Sequence, residues 1–140
     1  MVTRTKSRTE SQLVNEYLWR FHRFAPQWRR VRLGPLPDKK RARMYMVLLR
    51  WADAIFIEDG YVNILEAKVR PSPTAVGQLL LYERLFKVTP EFKMYWDWPI
   101  KKILLTTMVA WDVVELCSQY NIQYEVFNPL TLEHKVYNRL

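Results

Sequence analysis

Two apolar runs flank Glu58-Asp59-Gly60, and this short stretch restricts the fold more than any other part of the chain. Upstream, Asp53, Ile55 and Ile57 alternate with Ala54 and Phe56; downstream, residues 61–69 read as a second extended run. An Asp-Gly pair between such runs marks a two-residue β-hairpin turn, because both central positions need φ above zero and Gly and Asp tolerate that. The hairpin pairs Glu58 with Tyr61, Phe56 with Asn63 and Ile55 with Ile64, so Asp53 falls across from Glu66. Side chains alternate along a strand, which sets Lys68 on the face of Glu66 and Asp53. Two carboxylates and an ammonium converge. Opposed like charges destabilise a sheet. A hard divalent cation such as Mg²⁺ compensates them, since it prefers carboxylate oxygens and keeps places for water and phosphate. Lys68 offsets part of the repulsion. A three-residue loop would instead set Asp53 opposite Leu65 and disperse the group.

The rest of the chain supplies enough material for one domain. Its 140 residues are 49% hydrophobic and 26% charged with only 3 Gly, a composition that buries a single core and excludes disorder and low complexity. The longest apolar run, residues 44–49, is far short of the roughly 20 residues of a membrane span. The Arg-, Ser- and Thr-containing N-terminus has no apolar segment of the secretory kind, although an organellar transit reading stays open. The lone Cys117 cannot form an internal disulfide and, with His22 and His134 far off in sequence, leaves no zinc-type cluster. A reducing, cytoplasmic setting is expected. Cys117 reads as a small core residue, His22 and His134 as surface or satisfied histidines.

Apolar spacing predicts a helix over residues 11–24, with Leu13, Tyr17, Phe21 and Phe24 on one face and Val14 and Leu18 alongside. Residues 28–33 suit an edge strand, and residues 41–49 suit strand or helix equally. After the hairpin, Ser72 caps and Pro73 opens a helix over residues 74–87, whose apolar face is Leu79, Leu80, Tyr82, Leu85 and Phe86. An aromatic loop (Phe92, Tyr95, Trp96, Trp98) leads to a strand over 101–109, a helix over 111–120 and a strand over 122–127, with an extended piece at 135–138. There is no internal repeat, no nucleophilic triad and no phosphate-cradling glycine loop.

The net charge of +8 is uneven: residues 1–50 hold 13 basic and 3 acidic side chains, residues 51–140 hold 9 and 11. A flexible basic tail is expected at 1–9. A basic arm over 25–43 carries Arg29, Arg30, Arg32, Lys39, Lys40, Arg41 and Arg43 among Pro26, Gly34, Pro35 and Pro37. Such a cluster binds a phosphate backbone by releasing counterions. Trp19 and Trp28 stand among these charges, where they stack on bases or, as tryptophans more commonly do, join the core.

The tripeptide acid-any-Lys occurs four times, at Asp38/Lys40, Glu66/Lys68, Glu91/Lys93 and Glu133/Lys135, and by itself carries little. Glu66/Lys68 differs in lying on an apolar strand, after a strand bearing Asp53 and before a helix bearing Gln78 and Tyr82. The pattern Asp53…Glu66-Ala67-Lys68…Gln78-x-x-x-Tyr82 resembles the PD-(D/E)XK nuclease superfamily, and its Gln-x-x-x-Tyr helix is similar to that of the RecB-like exonuclease subgroup. The match is detailed over residues 50–88, and the order of elements agrees over most of the chain. Trp51-Ala52 stands where many members have a proline, and the cysteines of iron–sulfur relatives are absent, so no iron–sulfur cluster is expected.

The resemblance implies a single α/β domain with a restriction-endonuclease-like core, a mixed central sheet flanked by helices. It implies that Asp53 and Glu66 bind Mg²⁺ or Mn²⁺ with the Ala67 carbonyl as third ligand, and that Lys68 positions or activates the attacking water. Gln78 would hold that water or the DNA backbone, and Tyr82 would line the site; their ordinary readings are a solvated Gln and a core Tyr. Glu16, on the first helix, is a further metal-ligand candidate, against a salt bridge to Arg20 at i, i+4. The expected function is structure-selective or nonspecific DNA hydrolysis, with a Holliday-junction resolvase as one subtype, a homodimer as a suitable assembly and a phage, mobile-element or repair setting. Endo- or exonucleolytic cutting and the choice of strand stay open. The alternatives are a noncatalytic nucleic-acid-binding or scaffold protein on the same fold, and a subunit whose basic arm meets an acidic protein.

Overall fold

The computed structural model describes residues 8–35 and 50–140. Helix α1 (Arg8–His22) is followed by β1 (Gln27–Leu33), β2 (Arg50–Glu58), β3 (Tyr61–Lys68), α2 (Thr74–Phe86), a short 3₁₀ helix (Pro90–Tyr95), β4 (Ile100–Thr106), α3 (Trp111–Gln119), β5 (Ile122–Phe127) and β6 (His134–Val136). The strands form one six-stranded sheet in chain order. β1, β2 and β3 are antiparallel to one another, β3, β4 and β5 are parallel, and β6 returns antiparallel to β5. The mixed α/β domain expected from the sequence is present.

The hairpin register is the one the turn dictates: Glu58 faces Tyr61, Phe56 faces Asn63 and Ile55 faces Ile64. Asp59 (φ 55°) and Gly60 (φ 81°) both adopt the left-handed conformation. No atom lies within 4 Å of a Cβ built on Gly60, so any penalty there is purely backbone. Gly60→Ala is expected to cost about 1 kcal/mol, read as a lower urea midpoint with unchanged m-value.

Because β3, β4 and β5 progress in one direction, right-handed crossovers place both connecting helices on the same face. Val76, Leu79, Tyr82 and Phe86 of α2 and Val113, Val114 and Cys117 of α3 pack with Ile55, Ile57, Val62, Ile64, Leu104, Ile122 and Tyr124. The opposite face takes α1, whose Leu13, Val14, Tyr17 and Leu18 cover Ala54, Phe56, Leu65, Ala67, Ile103, Leu105 and Phe127. Burial pushes the Cys117 thiol up to about 11, which leaves it an inert core residue at neutral pH. Ser72 Oγ accepts the Thr74 amide at the entrance of α2, as its position before Pro73 suggested.

Several expectations shift. α1 ends at His22 rather than Phe24, because Pro26 disfavours helix in the residue before it; Ala25 N closes a turn on His22 O and Phe24 is 90% exposed. Trp19 is 65% exposed rather than core, and Trp28 is partly exposed, edge-on to Phe92. β4 stops at Thr106 instead of residue 109, where the Thr106 and Thr107 hydroxyls turn to Val69 O. Arg29, Arg30 and Arg32 belong to strand β1, so the expected arm is sheet over Gln27–Leu33. Arg8 and Thr9 of the expected tail begin α1. Lys39, Lys40, Arg41, Arg43, the undecided segment 41–49 and residues 1–7 lie outside the described residues. No described helix is long and apolar enough to cross a membrane.

Candidate active site

The ends of β2 and β3 bring the acidic residues together. Register places Glu66 beside Leu104 and Lys68 beside Thr106 of β4, so this segment is held in the middle of the sheet. Asp53 and Glu66 are both buried. The Ala67 amide, between Glu66 and Lys68, donates to Asp53 Oδ2 at 2.7 Å. Lys68 Nζ lies 3.5 Å from Glu66 Oε2. From α2, the Tyr82 hydroxyl lies 3.2 Å from Glu66 Oε1 and 3.1 Å from Trp51 O, so Tyr82 both packs in the core and orients the carboxylate.

Gln78 stands one turn before Tyr82 on the same helical face. Its Oε1 is buried and has no hydrogen-bond partner among the described residues. A buried acceptor left unpaired costs about 1–3 kcal/mol, and such atoms in native proteins commonly mark a place for water, ion or ligand.

Strict alternation would hold Asp53 on the α2 side with Glu66. Instead the faces exchange at this residue: Ala52 and Ile55, three apart, both join the α2–α3 core, while Ala54 joins the α1 core. Asp53 consequently lines a small cleft with Ser11, Val14 and Asn15 of α1 and with Arg29 and Arg30 of β1.

The donor set suits a hard cation: two carboxylates and an unpaired amide oxygen, with no thiol or imidazole. Among the described residues no three His, Cys, Asp or Glu side chains are grouped to hold a metal unaided. Mg²⁺ does not require such a cage, since it usually keeps several waters and takes one or two carboxylates plus phosphate. Glu16 is exposed on α1. From α1, Glu10 Oε2 accepts the amide of Val69, the residue that follows β3, at 3.2 Å. Glu10 escaped sequence reading because an acidic residue in a first helical turn is ordinary there for electrostatic reasons.

Arg29 is held by Asn15 and Gln27, and Arg32 by a 2.6 Å ion pair to Glu91. His22 and His134 are satisfied, as expected, in a second polar group toward the other end of the sheet. His22 Nδ1 lies 2.7 Å from Glu58 Oε1, and His134 Nε2 lies 2.8 Å from Glu125 Oε1. Tyr17 OH donates to Glu125 Oε1 at 3.0 Å and Gln123 Nε2 to Oε2 at 2.8 Å. Burial pushes the Glu125 carboxyl up, but the hydrogen bonds from His134, Gln123 and Tyr17 outweigh it and hold the group below its ordinary range. Burial, reinforced by Glu125, lifts the Tyr17 hydroxyl well above its ordinary value.

No family model and no curated protein matches the chain. Among solved structures, it is similar to a repair endonuclease from Pyrococcus abyssi, with a TM-score of 0.56 and 16% identity over 92% of this chain and 50% of the other. It is also similar to the protein of an EndoMS–dsDNA complex, with a TM-score of 0.53 and 14% identity over 92% of this chain and 48% of the other. The shared feature is the fold. The chain spans about half the length of each of these proteins.

Proposed function

We propose that this chain is a metal-dependent deoxyribonuclease of the PD-(D/E)XK type, with the Gln-x-x-x-Tyr helix of the RecB-like subgroup. The observation that carries this reading is that Glu66 lies against Lys68 and Tyr82 while Asp53 binds the amide of Ala67 between Glu66 and Lys68, with a Gln78 oxygen that has no partner among the described residues one helical turn from Tyr82. The fold is shared with a repair endonuclease and with a protein in complex with double-stranded DNA, which supports DNA as the substrate.

Asp53 and Glu66, with the Ala67 carbonyl, would hold Mg²⁺ or Mn²⁺. The bound cation supplies Lewis acidity toward a phosphoryl oxygen and lowers the pKa of a water. Tyr82 fixes the Glu66 carboxylate by its hydroxyl, so little reorganisation is needed as the substrate arrives. Lys68, beside Glu66, orients the attacking water and offsets negative charge developing on the phosphoryl oxygens. Gln78 accepts a hydrogen bond from that water. Arg29 and Arg30 on the exposed edge strand meet the DNA backbone.

A second reading, a noncatalytic DNA-binding protein on the same fold, is favoured by the protein partners that Asp53 and Glu66 already have. The two separate in one experiment: purified chain is given linear, circular, single-stranded, flapped and four-way-junction DNAs with Mg²⁺, Mn²⁺ or EDTA. The nuclease reading expects cutting of at least one substrate with either metal and none in EDTA. Salt-sensitive binding to DNA that stays intact in every lane would leave only the binding protein.

A further inference from the structure

β1 carries a backbone feature that regular pairing does not require. Its register with β2 is continuous on both sides of Arg30, with Arg29 across from Ala54 and Val31 across from Ala52, which sets Arg30 opposite Asp53. Arg30 adopts φ 52°, the left-handed conformation that a side chain with a Cβ disfavours. Trp28 and Val31, three apart, consequently lie toward the same side: Trp28 packs on Phe92 and Val31 joins the same core as Phe92. β2 makes the matching change at Asp53, where Ala52 and Ile55 share that core. Both strands therefore turn over at one rung, which carries an arginine on one side and a candidate metal-binding carboxylate on the other. A local conformation of this cost persists where the surroundings demand it, and such positions gather at active sites.

Arg30 and Asp53 line the same cleft, together with Ser11 and Asn15. Arg32, two residues on, is turned to Glu91 instead. A guanidinium at the rim of the cleft that Asp53 lines is placed to form paired hydrogen bonds to a phosphate held there. We propose that Arg30 is a catalytic residue that clamps the phosphate undergoing cleavage, and that its left-handed backbone is kept to aim it there. This rests on the nuclease reading and goes beyond the general attraction of a basic strand for DNA.

The test compares wild type with Arg30→Gly and Arg30→Lys in three measurements: thermal midpoint, salt dependence of binding to a double-stranded oligonucleotide in EDTA, and Mg²⁺-dependent cleavage rate. Glycine accepts φ 52° at no steric cost, so Arg30→Gly is expected to melt no lower than wild type. It should cut about 100-fold more slowly and lose about one unit from the logarithmic salt slope. Arg30→Lys restores the salt slope but only part of the rate, because a point charge replaces a planar two-point donor. If wild type cuts and Arg30→Gly cuts equally fast, the clamp is overturned while the nuclease stands. If Arg30→Gly loses rate only in step with a lowered melting point, the residue is structural and the clamp is again overturned. A wild type that cuts nothing overturns the nuclease reading itself.

Discussion

Glu66→Gln is expected to lower Mg²⁺-dependent DNA cleavage by at least about 10³-fold while leaving the fold intact, because the metal site loses one of two charged ligands. Glutamine retains an Oε1 that can accept from the Tyr82 hydroxyl, which in the native chain lies 3.2 Å from Glu66. Asp53→Asn behaves alike, since its side-chain oxygen still accepts the Ala67 amide. Stability distinguishes a working site from a structural ion pair. Two neighbouring buried carboxylates oppose each other, so removing one charge leaves the stability within about 1 kcal/mol of wild type or raises it. Had Glu66 served mainly as the partner of Lys68, its neutralisation would leave a half-buried ammonium poorly compensated and lower the melting point. Isothermal titration with Mg²⁺ alone, followed by single-turnover cleavage, reads both effects. Unchanged cleavage in either variant would remove that residue from the reaction.

The second large effect concerns stability and pH. Glu125 is 3% exposed and ties together Tyr17 of α1, Gln123 beside it on β5, and His134 of β6. Glu125→Ala strands these partners without their acceptor and is expected to cost about 3 kcal/mol, a fall of roughly 10 °C in melting point. The folded-state carboxyl is held below the ordinary value of 4.5. The unfolded chain therefore binds this proton more readily, and the contribution is fully present above about pH 4.5 and lost as pH falls through the folded value. Urea unfolding of wild type between pH 3 and 7 should show stability falling at the acid end. Glu125→Gln should flatten that part of the curve and leave its slope above pH 5 unchanged. A variant with wild-type acid dependence would show that other carboxylates govern it.

Much of the sheet is legible in sequence because its signals are local. The Asp59-Gly60 pair and the alternation on either side set the hairpin register before any other contact is considered, and that register holds. β5 begins and ends where the apolar pattern does, at Ile122 and Phe127. Apolar periodicity runs on through Phe24, two residues past the end of α1, because Pro26 closes the helix; the helix starts three residues before the apolar pattern, at Arg8. Trp19 shows a related limit: its size favours burial, but α1 rests on the sheet along one face only and Trp19 lies on the other.

The candidate site divides in the same way. Turn chemistry and period-two geometry put Glu66 and Lys68 on one face and Asp53 near them along the hairpin, but the face of Asp53 is not the one alternation predicts; Gln78 and Tyr82 follow from helical spacing plus resemblance. Glu10 does not, since its partner Val69 is separated from it by 59 positions. The Glu125 cluster is further out of reach, because Tyr17 lies 108 positions away and meets Glu125 only once α1 has packed across the sheet. The left-handed Arg30 has no local signal: nothing in Trp28-Arg29-Arg30-Val31 demands a break in alternation, and β2 breaks its own alternation at Asp53 in the same rung. Period, turn type and charge distribution are properties of neighbouring residues, so the sequence by itself determined most of the described elements and the hairpin register, and singled out Asp53, Glu66 and Lys68 as candidates. Which distant groups share a buried space depends on how the layers close over the sheet, and only the tertiary structure decided the unpaired Gln78 oxygen, the Glu10 and Glu125 contacts and the turn of Arg30 toward Asp53.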